Sequence, residues 1–233
     1  MEWQGDKSKE SAIKEMFARI AHRYDLANWV MSLGQDGRWR QVAVRFACPD
    51  GRVLDVATGT GDMALELARY ADSVVGLDLC PEMIKRGRVK AAMKALGGRI
   101  SFILGDALTL PFSDNSFDCA LNGFALRNVA DVGIFLAELH RVVKPGGRVV
   151  CLELERPSSG IMGAFYRFYL FKVVPVLGNL LSGDSKAYRY LPDSVGCFLS
   201  RSELQRMMED VGFHQVSYKT LNFGTIALHV GIK

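Results

Sequence analysis

Along the first two thirds of this chain, short continuous runs of apolar residues alternate with stretches in which apolar and polar positions recur at helical spacing. The runs place strands at 52–57, 73–78, 99–104, 117–122 and 148–154, because consecutive Val, Ile, Leu and Phe residues suit a strand covered on both faces. Helical patterns fall between them at 62–70, 81–96 and 131–143, the last closed by Lys144-Pro-Gly-Gly. Strands separated by helices imply parallel crossovers. Beyond residue 200 the pattern changes. A helix over 201–211, capped by Ser200 or Ser202 and stopped by Gly212, precedes two alternating strands at 214–221 and 225–232. Only a short turn joins these strands, which requires antiparallel pairing. The expected fold is therefore α/β: a seven-stranded sheet with one reversed strand, built by a single domain over residues 1–233 without repeats, linkers or low-complexity tracts.

Two regions lie outside that sheet. Residues 8–31 are amphipathic, with Ile13, Met16, Phe17, Ile20 and Tyr24 on one side, and the span 8–45 is read as N-terminal lid helices. The other reading is a helix packed on the sheet edge. Residues 157–199 form an aromatic-rich insertion containing Phe165, Tyr166, Phe168, Tyr169, Phe171, Tyr188 and Tyr190. The run Ile161 to Leu181 is long enough for a membrane span, but Arg167, Lys172, Pro175 and Asn179 interrupt it. An apolar substrate wall or a membrane-facing patch fits better, with core packing as the remaining reading.

Candidate chemistry concentrates at 52–62. A strand holding Val53, Leu54 and Val56 runs into Gly59 and Gly61, and Asp62 then opens a helical pattern. Glycines at such a turn let a ligand approach the backbone closely. The pattern Gly59-x-Gly61-x-x-Ala64 followed by Asp78 also satisfies a dinucleotide fingerprint. Asp55 tilts the choice, since a carboxylate inside the strand end suits an ammonium or sulfonium and repels a pyrophosphate. Asp78 ends the second strand, where it can accept from two ribose hydroxyls, and Asp106 follows the third, where an adenine amino group can donate to it. Three acids at three strand ends point to S-adenosylmethionine. The cofactor-binding set read from these strand ends is Asp55, Gly59, Thr60, Gly61, Asp78, Leu79, Asp106, Ala107, Asn122 and Gly123.

Composition changes this picture little. The net charge of +4 comes from scattered Lys and Arg without a block, so nucleic acid is not expected as a partner. Five cysteines, odd in number and without a C-x-x-C spacing, read as reduced thiols of a cytoplasmic protein. The first residues carry no apolar stretch of the signal-peptide kind. No cluster has metal-ligand spacing, and no metal is expected.

Several segments carry a likeness that covers nearly the whole chain. Ala21-x-x-Tyr24-Asp25-x-x-Asn28, Met31-Ser32-x-Gly34 with Trp39-Arg40, and Leu110-Pro-Phe-x-Asp-Asn-x-Phe-Asp118 are three of them. Leu126-Arg127-Asn128-Val129, Arg141-Val-x-Lys-Pro-Gly-Gly147, Tyr188-x-Tyr190-Leu191-Pro-x-Ser194 and Gly224-x-x-x-x-His229-x-Gly231 are the others. The chain resembles the ubiquinone/menaquinone C-methyltransferases of the UbiE type. In one place it departs: the family usually has a histidine two residues after the glycine of the Met-Ser-x-Gly stretch, and here Asp36 stands there. No role of that histidine carries over.

The resemblance implies a Rossmann-like methyltransferase sheet and methyl transfer from S-adenosylmethionine to a ring carbon of a polyprenylated quinol. The acceptor is demethylmenaquinol or a 2-methoxy-6-polyprenyl-1,4-benzoquinol. It also implies transient contact with the inner face of the membrane, and a homodimer is an open expectation. A sulfonium methyl is already electrophilic, so the protein must align it with a ring carbon and make that carbon electron-rich. Arg127 and Asn128 are the catalytic candidates that hold a developing phenolate, with Tyr24 or water relaying the proton. The competing reading of Arg127 is a partner for a nearby acid that fixes the loop. His22, His140 and His229 rank below these as general bases. Two other functions use the same residues, methylation of a different apolar molecule and non-catalytic S-adenosylmethionine binding.

Overall fold

The computed structural model describes residues 6–182 and 185–233. Seven strands form one sheet: β1 (Arg52–Val56), β2 (Ser73–Asp78), β3 (Ile100–Leu104), β4 (Phe117–Gly123), β5 (Val143–Leu154), β6 (His214–Leu221) and β7 (Ile226–Ile232), in the order β3-β2-β1-β4-β5-β7-β6. The first five are parallel, and β7 runs antiparallel to both β5 and β6. The expected sheet with one reversed strand is present.

Its interior strands are apolar on both faces because helices cover both. Val53, Val74, Cys119, Leu121 and Val150 pack with α3 (Asp36–Ala47), α4 (Asp62–Leu67) and α5 (Pro81–Met93). The alternate residues Leu54, Val56, Val75, Leu77 and Val149 pack with α6 (Val132–Val142) and α10 (Arg201–Val211). Successive side chains of a strand point to opposite faces, so an unbroken apolar run is the signature of this double cover. Ser200 caps α10 in a reciprocal capping box with Glu203, and Gly212 ends it in the left-handed region at φ 113°.

Element limits moved where local geometry overrode the pattern. Helix α4 ends at Leu67 rather than 70, because Arg69 and Tyr70 donate to Glu66 and Leu67, three residues back, and tighten the chain into a turn. Helix α6 ends at Val142, and Lys144-Pro-Gly-Gly belongs to an early start of β5. A residue before proline is disfavoured in the helical region, so the chain is extended from Val143 onward.

The N-terminal segment folds as α1 (Asp6–Ile20), a single 3-10 turn, and α2 (Tyr24–Met31). The insertion is α7 (Ile161–Phe168), a π turn at Tyr169–Val173, α8 (Val174–Ser182) and α9 (Ser185–Cys197). These two regions pack on each other: Met16, Ile20 and Ala27 share a cluster with Ala187 and Tyr188, and the Tyr169 hydroxyl donates to the Met31 carbonyl at 2.8 Å.

Candidate active site

The carboxyl ends of β1 to β4 open into a cleft. Its floor is the turn after β1. Gly59 sits at φ 57° and Gly61 at φ 82°, a region that side-chain-bearing residues rarely adopt. The two glycines serve different ends. Gly59 lines the cleft, whereas a Cβ on Gly61 would stand 2.8 Å from the Phe102 ring. Gly61 therefore lets α4 start close to β3, a correction to its expected place against the ligand.

Asp78 locks the second wall. One carboxylate oxygen accepts the Gly59 N–H and the other accepts the Cys80 N–H, each at 2.8 Å. Burial raises its pKa and these backbone donors work against the rise. Each oxygen keeps a further lone pair for a ligand hydroxyl. Leu79, Asp106, Ala107 and Gly123 also line the cleft, and Asp106 is braced by the Leu108 N–H at 2.8 Å.

Asp55, Thr60 and Asn122 depart from the roles read for them. Asp55 is 1% exposed and accepts the Thr58 hydroxyl at 2.5 Å beneath the loop, with the Ala64 backbone as a second donor. Burial pushes its pKa up to about 7. It borders only a smaller recess that adjoins the cleft at Gly59, so it is not a free anion at the strand end. Thr60 borders the same recess, and its hydroxyl donates to Asp25 of α2 at 2.5 Å. Asn122 is fully buried and ties β4 to β1 through a 2.8 Å bond to the Val56 carbonyl. It does not line the cleft.

That recess also holds a cation which the reading of three acids at strand ends did not include. Arg40 of α3 reaches it, 9% exposed and paired to Asp36 one turn earlier. Burial opposes its charge, but Asp62 and Asp36 outweigh burial and raise its pKa. The signal in the sequence was the Asp36–Arg40 spacing on one helix face. Asp36, at the family's histidine position, thus holds an arginine and accepts the Ser32 hydroxyl at 3.0 Å.

At the other end, α1 stands over the cleft with Ile13 and Phe17 in its lining, and Tyr24 borders both the cleft and the recess. Burial raises the Tyr24 pKa, with a hydrogen bond to Asn28 opposing it, so its hydroxyl keeps its proton at neutral pH and can donate it to a hydrogen bond. Asn128 also lines the cleft, and its side-chain oxygen accepts the Tyr190 hydroxyl at 3.1 Å.

Arg127 is not among the lining residues. Its guanidinium donates to Glu153 at 2.5 Å and to the Phe124 carbonyl at 2.7 Å, with the two charged side chains 9% and 2% exposed. Glu153 was legible only as a lone charge between Leu152 and Leu154 at a strand end. The histidines stand apart from the cleft: His229 is bonded to the Arg201 carbonyl and His140 packs on the Phe213 ring.

The model of the ubiE/COQ5 methyltransferase family matches residues 5–233. The chain belongs to that family. It is 48% identical to a demethylmenaquinone methyltransferase of Deinococcus radiodurans, over 98% of this chain and 96% of that one. A ubiquinone/menaquinone biosynthesis C-methyltransferase UbiE of Geobacter sp. (strain M21) is 46% identical, covering 97% of each. Among solved structures, a SAM-dependent methyltransferase of Thermotoga maritima, described as a possible histamine N-methyltransferase, superimposes with a TM-score of 0.68 at 22% identity. That match covers 94% of this chain and 99% of the other and speaks for the fold.

Proposed function

We propose that this protein methylates a ring carbon of a polyprenylated quinol with S-adenosylmethionine as donor, the acceptor being demethylmenaquinol, a 2-methoxy-6-polyprenyl-1,4-benzoquinol, or both. One observation carries this reading. The glycine turn and Asp78 share a single cleft with Tyr24 and Asn128, and much of the remaining lining is apolar, including Ile13, Phe17, Leu108 and Val129. A polar nucleoside site and an apolar acceptor site are contiguous there. The family and the relatives' names support the same conclusion.

The residues fit the cofactor. Asp78 offers lone pairs to ribose hydroxyls, Asp106 and Leu79 border the neighbouring space for a base, and Gly59 leaves the turn open to close approach. Arg40 in the adjoining recess supplies a cation for a carboxylate, and Asp62 beside it supplies an acceptor for an ammonium. When bound, S-adenosylmethionine supplies an electrophilic methyl group on a sulfonium.

At the acceptor end, the protonated Tyr24 hydroxyl donates a hydrogen bond to a quinol oxygen and stabilises negative charge as it develops there. Asn128, oriented by Tyr190, holds the ring. Arg127 and Glu153 fix the turn that carries Asn128, and the positive end of that pair adds to the local field, lowering the cost of a phenolate next to Tyr24. Charge on the oxygen pushes electron density onto the adjacent ring carbon. The quinol hydroxyl proton passes to water as that charge develops; once the carbon–carbon bond has formed, the ring carbon gives its own proton to water and the oxygen is reprotonated, so one proton is released overall.

A polyprenyl tail keeps the acceptor at a bilayer. The protein is accordingly assigned to the cytoplasm with transient contact at the inner membrane face, working as one domain in which the lid and the insertion serve one site. The deciding experiment incubates purified protein with isotopically labelled S-adenosylmethionine and short-tailed demethylmenaquinol or methoxy-benzoquinol, kept reduced, and reads products by mass spectrometry. Label on a ring carbon supports the proposal. Binding of the cofactor without label in either quinol refutes it and favours another acceptor or a binding role.

A further inference from the structure

The helix formed by α7, the π turn and α8 exposes one apolar face to solvent. Ile161 is 78% exposed, Phe165 67%, Phe168 63%, Val176 58% and Leu180 74%. The opposite face, Gly163, Leu170, Val174 and Gly178, is buried against the protein. The π turn adds about one residue, roughly 100° of phase, and so brings Val176 and Leu180 round onto the face of Ile161, Phe165 and Phe168. Helix α2 lies alongside α8, tied by Tyr169 to Met31 and by Arg23 to the Leu181 carbonyl at 2.6 Å. It exposes Leu26 and Trp29, at 51% and 60%, and Leu33 just beyond its end is 74% exposed. Apolar surface repeated on two adjoining helices marks a contact site rather than scattered exposure.

Charge chooses the occupant. Residues 157–182 carry Arg167 and Lys172 and no acidic side chain. In α2 the one acid, Asp25, is taken up by Lys90 at 2.8 Å, while Arg23 is exposed beside it. A second copy on the same face would bring together two surfaces that each carry Arg167 and Lys172, with no acid of residues 157–182 to answer them. An anionic bilayer meets both features, since apolar side chains enter the acyl boundary while long basic chains reach back to the headgroups. A spanning helix does not fit, because the buried face would have to detach from α2 and α9.

We propose that the paired exposed faces of α7–α8 and α2 form a docking surface for an anionic lipid bilayer, with Trp29 at the level of the headgroups. The surface rests on exposure and charge; its use in presenting a lipid-tailed acceptor rests on the proposed function.

The test uses the full chain with vesicles of phosphatidylglycerol and phosphatidylcholine, against phosphatidylcholine alone. Trp29 emission should shift to the blue and be quenched by brominated acyl chains, and the shift should vanish in Trp29→Phe while flotation with vesicles persists. Phe165→Ser with Phe168→Ser should weaken vesicle binding by about tenfold or more at unchanged S-adenosylmethionine affinity. Because Trp29 is read in the unaltered protein, an unfolded double variant does not blunt the test. Absence of vesicle binding overturns the proposal. So does a dimer that the double variant disperses, or protein that resists alkaline carbonate extraction as a spanning helix would. Vesicle binding without quinol methylation would sink the proposed function alone, and methylation without vesicle binding would sink the surface alone.

Discussion

Arg127 and Glu153 form an ion pair at 2.5 Å between the turn after β4 and the end of β5, with both side chains almost wholly enclosed. The turn that carries Asn128 into the cleft is therefore anchored by charge to the middle of the sheet. A buried pair is costly to break, because removing one partner strands the other in a poorly solvated site.

For this pair, Glu153→Gln and Arg127→Ala should each lower stability by about 3 kcal/mol and depress kcat strongly. The joint replacement Arg127→Met with Glu153→Leu should recover much of the stability and little of the turnover. Chemical denaturation and a quinol assay separate the two effects. Equal recovery of both would reduce the pair to a structural brace, and full activity in Arg127→Ala would remove it from the acceptor site.

Asp78→Ala should weaken S-adenosylmethionine binding by more than about tenfold, since hydrogen bonds to a charged acceptor are worth roughly 1.5–3 kcal/mol each. The loss includes the pinning of Gly59, so Asp78→Asn, whose single amide oxygen can accept only one of the two backbone donors, should fall between the parent and Asp78→Ala. Calorimetric titration measures it. Unchanged affinity, or preference for a nicotinamide dinucleotide, would contradict the cofactor assignment.

Tyr24→Phe should cut kcat by about ten- to a hundredfold while cofactor affinity changes little, as expected for a donor that acts mainly when charge develops on the acceptor. Tyr190→Phe should have the same direction and a smaller size, because it acts through Asn128. Steady-state kinetics with a short-tailed quinol distinguishes them. A rise in KM alone for Tyr24→Phe would make the hydroxyl a binding group.

Burial raises Asp55 from 3.8 to about 7, so the folded protein holds this proton over a range where the unfolded chain has released it. Its contribution to stability is complete below pH 4 and is lost as pH rises toward 7. Asp55→Asn, which keeps an acceptor for Thr58, should therefore flatten that part of the pH–stability curve. Relative to the parent it should gain about 1–4 kcal/mol at pH 8 compared with pH 4. Denaturant titrations at a series of pH values give the difference, and parallel curves for the two proteins would show that Asp55 is ionised in the fold.

Lys90 joins Asp25 of α2, Asp62 of α4 and the Thr60 hydroxyl, at 3.1 Å for the last, and so ties the covering segment to the cofactor turn. Lys90→Met should speed S-adenosylmethionine release by about fivefold in stopped-flow experiments. Partly exposed pairs contribute little to global stability, about 1 kcal/mol or less. Release at the parent rate would show that the α1–α2 segment does not gate the cleft.

Periodicity and local chemistry determined much of this protein. Unbroken apolar runs such as Val149–Leu152 suit a strand covered on both faces, and the short turn after Leu221 leaves only antiparallel pairing, so the sheet was legible strand by strand. Asp78, Gly59, Asp106 and Asn128 were legible too, because a residue at the end of a parallel strand or in the turn just after it faces the crevice wherever the fold closes. Tertiary structure alone decided which charges meet. Arg40 enters the recess from α3, Glu153 claims Arg127 from β5, and Asp55 turns under the loop to Thr58. Only packing decided that α1 lies over the cleft and that α2 shares an exposed face with α8. The physical reason is range: a strand or a turn is selected by neighbours a few residues away, whereas a buried charge is assigned by whichever opposite charge the fold delivers, here 26 positions along the chain.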